Sequence, residues 1–486
     1  MEFNSSREGI RVRVLDYIRR LLVTAPHKAL LYTRRGRQEL PYRWIFYRLV
    51  SYARSFAEGF TENRLIMIPG LRGTGKTTVL WQLYRYLVEE KKIKLKYVLF
   101  LPVDELKTLV GGDIYEAVNC YEELLGRRLE ELDRPVFLLL DEITYDPKWP
   151  SAVKAIYDRS PMVFIVVSGS SALALQMTPD LARRGIREIL YPMSMAEYLM
   201  LKYNKYLQKN FIKRLKAALF ETFSPEEMLE KLEILHRMLM AIDLDLRTLV
   251  SSYLKFGGLP FTMHGDEITY EQVYDVIERV INKDFAAIYK MKSETRERTA
   301  ALLAGLSTHP PGPLSILSIS KSLGIKYDTA RKILQALEHS LILYSIPPYA
   351  KGLAQARKLR KYCFSTPVIR AALAFRLGWP PEDLLGAMLE DAVLSTLIRL
   401  KATYPKIVGV HYDPKEGGAD AVVEVRTGKG TISVPLEIEW GLKDGRQVRN
   451  TMKHTSSSYG IIVDDVIKPE LDKDVIHVPK YIFLLL

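Results

Sequence analysis

The sequence predicts an α/β fold divided into several domains, because strand-like and helix-like segments alternate near its start. The chain has 486 residues, too many for one hydrophobic core, so about two to four domains are expected. The short apolar runs LIMIP (65–69), VFLLL (136–140) and VFIVV (163–167) are typical of strands buried in a parallel sheet. VLWQLYRYLVEE (79–90) follows the first of them with apolar residues at helical spacing. We therefore expect a first domain in which helices cover a parallel sheet.

The charge of the chain points to a phosphate-rich partner. The net charge is +13, from 70 Lys and Arg against 57 Asp and Glu. Basic residues are concentrated in residues 1–64 and 321–361, which is the electrostatic footprint of a protein that binds a nucleic-acid backbone. The alternative is a basic surface that only keeps the protein soluble, since net charge by itself identifies no ligand.

Cysteine content and hydropathy argue against secretion and against a membrane span. The two cysteines, Cys120 and Cys363, are far apart and form no C-x-x-C motif, so neither a disulfide framework nor a zinc site is expected. The N-terminal segment lacks the uninterrupted apolar stretch of a secretory signal. No apolar run approaches the roughly 18 to 20 residues that a bilayer span needs. We expect a cytoplasmic protein with no membrane partner.

A glycine-rich segment between the first strand and its helix matches a phosphate-binding loop. Residues Gly70 to Thr77, GLRGTGKT, fit G-x-x-x-x-G-K-[ST] without a gap. Gly70, Gly73 and Gly75 would turn backbone N–H groups toward phosphate oxygens at the positive end of the helix. Lys76 would reach the β- and γ-phosphates and the Thr77 hydroxyl would ligate Mg²⁺. The predicted nucleotide-binding residues are Gly70, Leu71, Arg72, Gly73, Thr74, Gly75, Lys76, Thr77 and Thr78.

Two carboxylates at the end of another strand complete the expected ATP site. PVFLLLDEI (135–143) presents Asp141 and Glu142 where a parallel strand ends, and this is the edge at which open α/β sheets bind ligands. Asp141 would hold Mg²⁺, and Glu142 would polarise the water that attacks the γ-phosphate. Taken alone, such a pair is more often a helix cap or a solvated loop, but together with the glycine loop it predicts ATP hydrolysis.

The next strand ends in small polar residues and is followed by arginines. Ser168 or Ser170 could orient the attacking water, although SGSS is also an ordinary turn sequence. Arg183, Arg184 and Arg187 lie close together further on. One of them could stabilise charge on the γ-phosphate, in the same chain or from a neighbouring subunit of a homo-oligomer, or all could be surface arginines.

These motifs together resemble the archaeal-type AAA-like P-loop ATPases. The resemblance rests on GLRGTGKTT, LLLDEITYDPKWPSAVKAIYD, VVSGSSALAL and RRGIREILYPMSMAEYL, and it covers about residues 40–486 in order. It implies a P-loop NTPase domain with a parallel sheet and a helical lid, followed by a winged-helix domain and a C-terminal α/β domain similar to restriction endonucleases. KLRKYCFSTPVIRAAL and GAMLEDAVLSTLI resemble the start of that last domain. The family's catalytic arginine falls on Arg184, which here follows Arg183 instead of Gly.

Composition and pattern divide the chain into five predicted segments. Residues 195–290 have few turn signals apart from LKFGGLPFTM (254–263), which predicts a helical lid interrupted by a tight turn. The predicted domains are a basic helical segment (1–50), the P-loop ATPase core (51–195), the helical lid (196–290), a winged helix (291–350) and the restriction-endonuclease-like domain (351–486).

The predicted winged helix offers candidate DNA contacts. SILSISKSLGIKYDTARKILQALEHSLILYSI reads as a helix, a turn at Gly324, a second helix from about Asp328 and a strand. The second helix would present basic side chains to a DNA groove, and the basic run 351–361 would follow the backbone. Many such domains pack against protein instead. The candidate contacts are Lys326, Arg331, Lys332, Arg357, Lys358, Arg360 and Lys361.

The C-terminal domain carries a nuclease-like set of carboxylates with one departure. GGADAVVEV and VPLEIEW predict two strands joined by a glycine turn. Asp420 and Glu437 stand where restriction-type nucleases place metal ligands, and Glu390 could add a third. Glu439 occupies the position of the lysine, so Lys443 would have to reach in from four residues on. We favour an inactive, DNA-binding or structural domain over a working nuclease; solvent-facing strand carboxylates are a further alternative.

We therefore expect an ATP-binding and ATP-hydrolysing switch or motor that uses Mg²⁺ and acts on DNA. One alternative is a metal-dependent nuclease licensed by the ATPase. The other is a scaffold that uses ATP to control its oligomeric state and does not bind nucleic acid.

Overall fold

A computed structural model describes residues 2–169, 181, 183–265, 267–350, 355, 358–428 and 430–486. The chain forms two compact units, Met1–Tyr191 and Pro192–Leu486. The five predicted domain segments stay predictions.

The first unit is built on a parallel sheet of five strands in the order β4-β5-β6-β3-β7. All neighbouring strands in this sheet run parallel. This confirms the predicted α/β class for the P-loop part of the chain. The strands are β3 (Leu65–Pro69), β4 (Val98–Pro102), β5 (Val136–Asp141), β6 (Val163–Gly169) and β7 (Ile186–Arg187), preceded by a small hairpin of β1 (Arg34–Arg35) and β2 (Gln38–Glu39).

Helices cover both faces of this sheet, because alternate residues of each strand point to opposite sides. Leu65 and Met67 contribute to one buried cluster, whereas Ile66 and Ile68 contribute to the other. The helices are α1 (Glu2–Thr33), α2 (Trp44–Ala57), α3 (Lys76–Arg85), the short α4 (Val103–Glu105), α5 (Ile114–Leu125) and α6 (Trp149–Arg159). Helices α5 and α6 lie on the first face with much of α1, and α2 and α3 lie on the second.

The second unit begins with helices, as the sequence predicts for the lid. Ser224 caps one of them by accepting a hydrogen bond from the Glu227 N–H at 3.3 Å. Gly258 has φ +94° in the predicted tight turn, next to Thr366. The helices are α7 (Met195–Tyr203), α8 (Phe211–Phe220), α9 (Pro225–Met240), α10 (Leu246–Phe256), α11 (Glu267–Arg279) and α12 (Phe285–Tyr289).

A winged-helix arrangement follows and confirms that part of the predicted fold. Three strands form an antiparallel sheet in the order β8-β10-β9. The turn between its two central helices is at Gly324, which has φ +64°. The elements are α13 (Ser293–Ser307), β8 (Gly312–Leu314), α14 (Ile316–Leu323), α15 (Tyr327–His339), β9 (Leu343–Ile346) and β10 (Arg360–Phe364).

The chain continues into a mixed sheet of six strands in the order β11-β12-β13-β14-β16-β15. The two predicted strands pair antiparallel as β12 and β13. The predicted resemblance of this domain to restriction endonucleases stays a prediction. The elements are α16 (Pro367–Phe375), α17 (Leu385–Thr403), β11 (Ile407–His411), β12 (Ala421–Thr427), β13 (Gly430–Ile438), α18 (Arg446–Thr455), β14 (Gly460–Asp464), β15 (Glu470–Asp472), β16 (Val475–Pro479) and α19 (Lys480–Phe483).

Candidate functional site

The glycine loop joins β3 to α3 in a conformation that depends on its glycines. Gly73 and Gly75 have φ values of +84° and +92°, which residues with a β-carbon rarely adopt. At Gly70, a β-carbon would lie 2.7 Å from the carbonyl oxygen of Leu190. The three glycines singled out in the sequence are thus required by backbone angle or by close approach.

Lys76 and Arg43 hold this loop from two sides. Lys76 is buried, and its Nζ donates to the carbonyl oxygens of Gly70 and Leu71, each at 3.0 Å. The guanidinium of Arg43, also buried, donates to the carbonyl oxygens of Thr74 at 2.9 Å and Tyr191 at 3.0 Å. Sequence reasoning missed Arg43, since nothing distinguishes it from the other basic residues that precede the loop.

Asp141 lies where the sequence predicts, at the carboxyl end of β5, and two hydroxyl groups donate to it. Thr77 Oγ1 donates to Asp141 Oδ2 at 2.7 Å, and Ser168 Oγ donates to Asp141 Oδ1. The side chains meet because β5 and β6 are parallel neighbours and α3 starts beside them. Burial and the charge of Glu142 raise the pKa of Asp141 to about 6, although both hydroxyls oppose the shift.

Glu142 occupies a strained turn directly after this strand. Its φ and ψ are +49° and +44°, a left-handed conformation that is uncommon for a residue with a long side chain. Its N–H donates to Ser168 Oγ at 3.3 Å. Its Oε2 is buried and finds no hydrogen-bond partner within the described part of the chain, as expected of a carboxylate that binds something other than protein.

Asp104 is a further acidic residue at this edge that the sequence analysis did not identify. It lies in α4, directly after β4, which is the next strand beyond β5. Burial, and to a lesser degree the charges of Glu142 and Glu105, raises the pKa of its carboxyl group. The signal that identified Asp141, a carboxylate after a buried strand, was also present at Asp104.

The residues at this edge suit a magnesium nucleotide. Mg²⁺ prefers oxygen ligands supplied by one or two side chains together with phosphate oxygens, and the oxygens of Thr77 and Asp141 lie 2.7 Å apart. Left-handed glycines and the start of α3 supply backbone N–H groups of the kind that bind phosphate. The donor set therefore fits the predicted cofactors ATP and Mg²⁺.

Arg184 lies away from the glycine loop of its own chain. It lies two residues before β7, and its Nε pairs with Asp158 Oδ1 at 3.2 Å. Because β7 runs parallel to β3 and pairs with its first half, Arg184 lies at the amino-terminal edge of the sheet, about 20 Å along the strand direction from Gly70. This position gives no support to a role in the same chain. Ser170 lies outside the described residues.

The winged-helix candidates fall into exposed and buried groups. Lys326, Arg331 and Lys332 are exposed at the start of α15, where Arg331 pairs with Asp328 at 3.1 Å. Lys358 and Arg360 are also exposed, whereas Arg357 lies outside the described residues.

Lys361 is 5% exposed and is paired with two carboxylates. It has no surface to offer a phosphate, so its prediction as a DNA contact is wrong. The sequence could not separate it from its basic neighbours, because the alternation of β10 decides which side chains turn inward.

The C-terminal carboxylates do come together, but ammonium groups lie among them. Lys361 Nζ is 2.5 Å from Glu390 Oε1 and 3.2 Å from Asp420 Oδ1. Lys443 Nζ is 2.8 Å from Glu439 Oε2 and 3.4 Å from Glu437 Oε1. We call these four carboxylates and two lysines the C-terminal cluster. Lys443 thus reaches in as a nuclease would require, yet Glu439 shares its charge.

The charges of the C-terminal cluster depend on one another. Burial raises the pKa of both Glu390 and Glu437, against the opposing effect of the lysines. Burial by itself would lower the pKa of Lys361, but the charges of Glu390 and Asp420 outweigh it and keep the pKa above its ordinary value. The two carboxylates therefore favour the charged form of Lys361.

Both Cys120 and Cys363 are buried free thiols. In the ranges that the structure describes, no helix is long and apolar enough to cross a membrane. In the same ranges, no group of three or more His, Cys, Asp and Glu side chains has an arrangement that could hold a metal ion.

Comparison with known proteins places this chain among AAA proteins. The model of a family described as AAA domain matches residues 62–199, and a domain of unknown function, DUF8612, matches residues 247–383. The Uncharacterized protein MJ1637 of Methanocaldococcus jannaschii is 32% identical over 491 residues, which cover 100% of this chain and 97% of the relative.

Solved structures align with low overall similarity. The ORC2 protein of Aeropyrum pernix, solved as ADPNP-ADP complexes, is 11% identical, with 71% of this chain and 98% of that chain covered and a TM-score of 0.36. AMPPCP-bound DnaA from Aquifex aeolicus is 15% identical, with 61% and 89% covered and a TM-score of 0.26. Family membership rests on the match to the AAA domain, on the relative that aligns along the whole chain and on the geometry of the site. The chain belongs to the archaeal-type AAA-like P-loop ATPases, and the Methanocaldococcus jannaschii protein is a relative along its whole length.

Proposed function

We propose that this protein binds and hydrolyses ATP with Mg²⁺ at the glycine loop, and that the nucleotide state changes its grip on DNA. The observation that carries the proposal is the contact between Thr77 and Asp141 at 2.7 Å, beside a buried Glu142 oxygen with no described partner. A hydroxyl that follows the loop lysine and a carboxylate that ends a neighbouring strand are the two groups that a Mg²⁺-nucleotide site needs.

Binding would use groups that are already in place. Lys76 Nζ now donates to two loop carbonyl groups; with ATP present it would donate to phosphate oxygens instead. Backbone N–H groups of the loop and of the first turn of α3 would bind the same phosphates. Arg43 would help to fix the loop through its hydrogen bond to the Thr74 carbonyl group.

Hydrolysis would depend on the positions of Asp141, Glu142 and Ser168 around the bound nucleotide. Mg²⁺, held by Thr77 and Asp141, would neutralise charge on the phosphates when it is bound. Glu142 would accept a hydrogen bond from the attacking water, because its Oε2 is buried and has no hydrogen-bond partner in the described part of the chain. Ser168 donates its only proton to Asp141 and accepts from the Glu142 N–H. We therefore assign Ser168 the role of fixing both carboxylates in place.

Arg184 suits a role in a second copy of the chain better than in its own. It is partly exposed at the edge of the sheet opposite the glycine loop. In a homo-oligomer, such an arginine could contribute charge to the γ-phosphate of a neighbour. The Arg184→Ala variant should then bind ATP as the wild type does but hydrolyse it slowly, with a rate that no longer rises with protein concentration.

The DNA part of the proposal is supported by the winged helix and its charge. Lys326, Arg331 and Lys332 are exposed together at the start of α15, the helix that reads the groove in many helix-turn-helix proteins. The net charge of +13 favours a polyanion as partner.

A single assay tests both parts. ATP turnover is measured with and without double-stranded DNA, and DNA affinity is titrated against salt in the presence of ATP and of ADP. We expect DNA to stimulate turnover and the affinity to differ between nucleotides. Each lost phosphate contact should lower the salt slope by about one, so Arg331→Ser with Lys332→Ser should lower it by about two. Turnover unaffected by DNA, together with negligible DNA binding at physiological salt, would favour the scaffold alternative.

A further inference from the structure

Within the residues that the structure describes, carboxylates also converge in the C-terminal cluster, where Glu437 is buried and Glu390 and Asp420 are partly buried. Glu390 comes from α17, Asp420 directly precedes β12, and Glu437 lies near the end of β13. In a sheet domain similar to restriction endonucleases, carboxylates at such positions would be expected to share a divalent metal ion. The question is whether the residues present here suit one.

They do not, because a side chain of this protein supplies the cation. Lys361 Nζ lies within 3.2 Å of oxygens from both Glu390 and Asp420, and its side chain is 6% exposed. The second oxygen of Asp420 accepts the Ile438 N–H at 3.0 Å, which leaves little of that carboxylate for another ligand. A metal ion placed between the carboxylates would have to displace this buried ammonium.

The other end of the cluster is neutralised in the same way. Lys443 bridges Glu437 and Glu439, and Glu439 stands where the nuclease pattern has a lysine. A lysine with two carboxylate neighbours is held in its charged form and is no longer free to position a water.

Lys361 comes from the winged helix, so the C-terminal cluster also connects two parts of the chain. Lys361 belongs to β10, which pairs with β8 and β9 in the winged-helix sheet. Its carboxylate partners belong to the C-terminal sheet domain. Close by, the Phe364 N–H of the same strand donates to Asp391 Oδ1 at 2.8 Å, and Asp391 forms a buried pair with Arg370 at 2.5 Å. Strand β10 is thus anchored to α17 at two points.

We propose that Lys361 takes the place of a metal cation in the C-terminal cluster, so that the cluster locks the winged helix to the sheet domain and does not cleave nucleic acid. The ammonium places one positive charge 2.5 Å from Glu390 and 3.2 Å from Asp420, where a divalent ion would otherwise lie, and it is tethered to the winged helix. The C-terminal sheet then moves with the winged helix as one piece.

The test is Mn²⁺ binding by the full-length protein without nucleotide, followed by electron paramagnetic resonance. Wild type and Asp420→Asn should show the same low Mn²⁺ affinity, because neither has a free carboxylate cluster. Removal of the ammonium in Lys361→Met should create one Mn²⁺ site at least about tenfold tighter than in the wild type, and Asp420→Asn in that background should remove it. The matched control is Lys358→Met, an exposed lysine on the same segment, which should behave as the wild type.

Two results would overturn the proposal. One is a Mn²⁺ ion bound by the wild type and lost in Asp420→Asn, which needs no lysine variant to fold. The other is cleavage of DNA in Mg²⁺ or Mn²⁺ by the wild type, with or without ATP, that Asp420→Ala abolishes. Both outcomes are independent of the glycine loop, so a failure here would not count against the proposed ATP hydrolysis.

Discussion

The two carboxylate clusters of this protein differ in what faces them. At the glycine loop, Asp141 is approached by hydroxyl groups and Glu142 has a buried oxygen without a described partner. In the C-terminal cluster, the carboxylates are approached by ammonium groups within 3.4 Å. Hydroxyls leave the negative charge in place, whereas an ammonium that lies between two carboxylates offsets part of it. The comparison teaches that converging carboxylates do not by themselves indicate a metal site, because a lysine side chain can occupy the position between them.

The first prediction concerns the lysine at the loop, whose loss should have the largest effect. Lys76→Ala should reduce ATP affinity more than about 100-fold, because charge-assisted bonds to the phosphates are lost. Isothermal titration calorimetry with Mg²⁺-ATP measures this. Lys154→Ala, an exposed lysine of α6, is the control. Unchanged heat in the Lys76 variant would mean that the nucleotide does not bind at this loop.

Glu142→Gln separates binding from chemistry at the same site. The amide should keep ATP affinity within a few-fold and lower turnover about 100-fold or more, because it cannot accept a proton from water. Single-turnover hydrolysis and calorimetry together measure the two effects, with the exposed Glu62→Gln as the control. Normal hydrolysis by the variant would show that the role of Glu142 is misassigned.

Removal of the lysine from the C-terminal cluster should affect the stability of the fold and not the turnover of ATP. Without divalent ions, Lys361→Met should lower the free energy of unfolding by about 3 kcal/mol, since it leaves the partly buried Glu390 and Asp420 without their cation. Urea denaturation measures the loss. The exposed control Lys358→Met should be close to neutral, and an equal loss in both variants would show that the pairing contributes nothing.

The smallest expected effect is a pH dependence that involves Glu437. Its pKa is raised above the ordinary 4.5 by burial first and then by the charge of Asp420, while Lys443 and Lys361 oppose the shift. The folded state therefore binds the proton more tightly than the unfolded state, and ionisation weakens the fold as pH rises above about 4.5. Glu437→Gln should match the wild type at pH 4 and exceed its stability by about 1 kcal/mol at pH 9. Urea denaturation across this range measures the difference; a gap that narrows as pH rises would contradict the assigned direction.

Much of the ATP site was predictable, because it depends on local sequence. Gly73 and Gly75 suit left-handed backbone conformations, and Asp141 and Glu142 follow an apolar run that is typical of a buried strand. Asp104 gave the same signal and was missed. Arg43 gave none, since its importance lies in a hydrogen bond to a residue 31 positions further along.

The carboxylates of the C-terminal cluster were predictable from the sequence, but their pairing with Lys361 was not. Pattern placed Glu390, Asp420 and Glu437 together, and the structure brings them within reach of the same pair of lysines. Lys361 was assigned to the DNA surface because a basic run looks uniform in sequence. Its burial follows from the pairing of β10, which depends on strands distant in the chain.

The sequence by itself determined the class of the first domain, the glycine loop and the two acidic residues of the ATP site, because these need only a few adjacent residues in an apolar frame. Only the tertiary structure decided that Arg184 lies at the far edge of the sheet and that the buried Lys361 pairs with Glu390 and Asp420. Both depend on which strands become neighbours. Electrostatic partners are set by distance in space, and sequence order does not encode that distance.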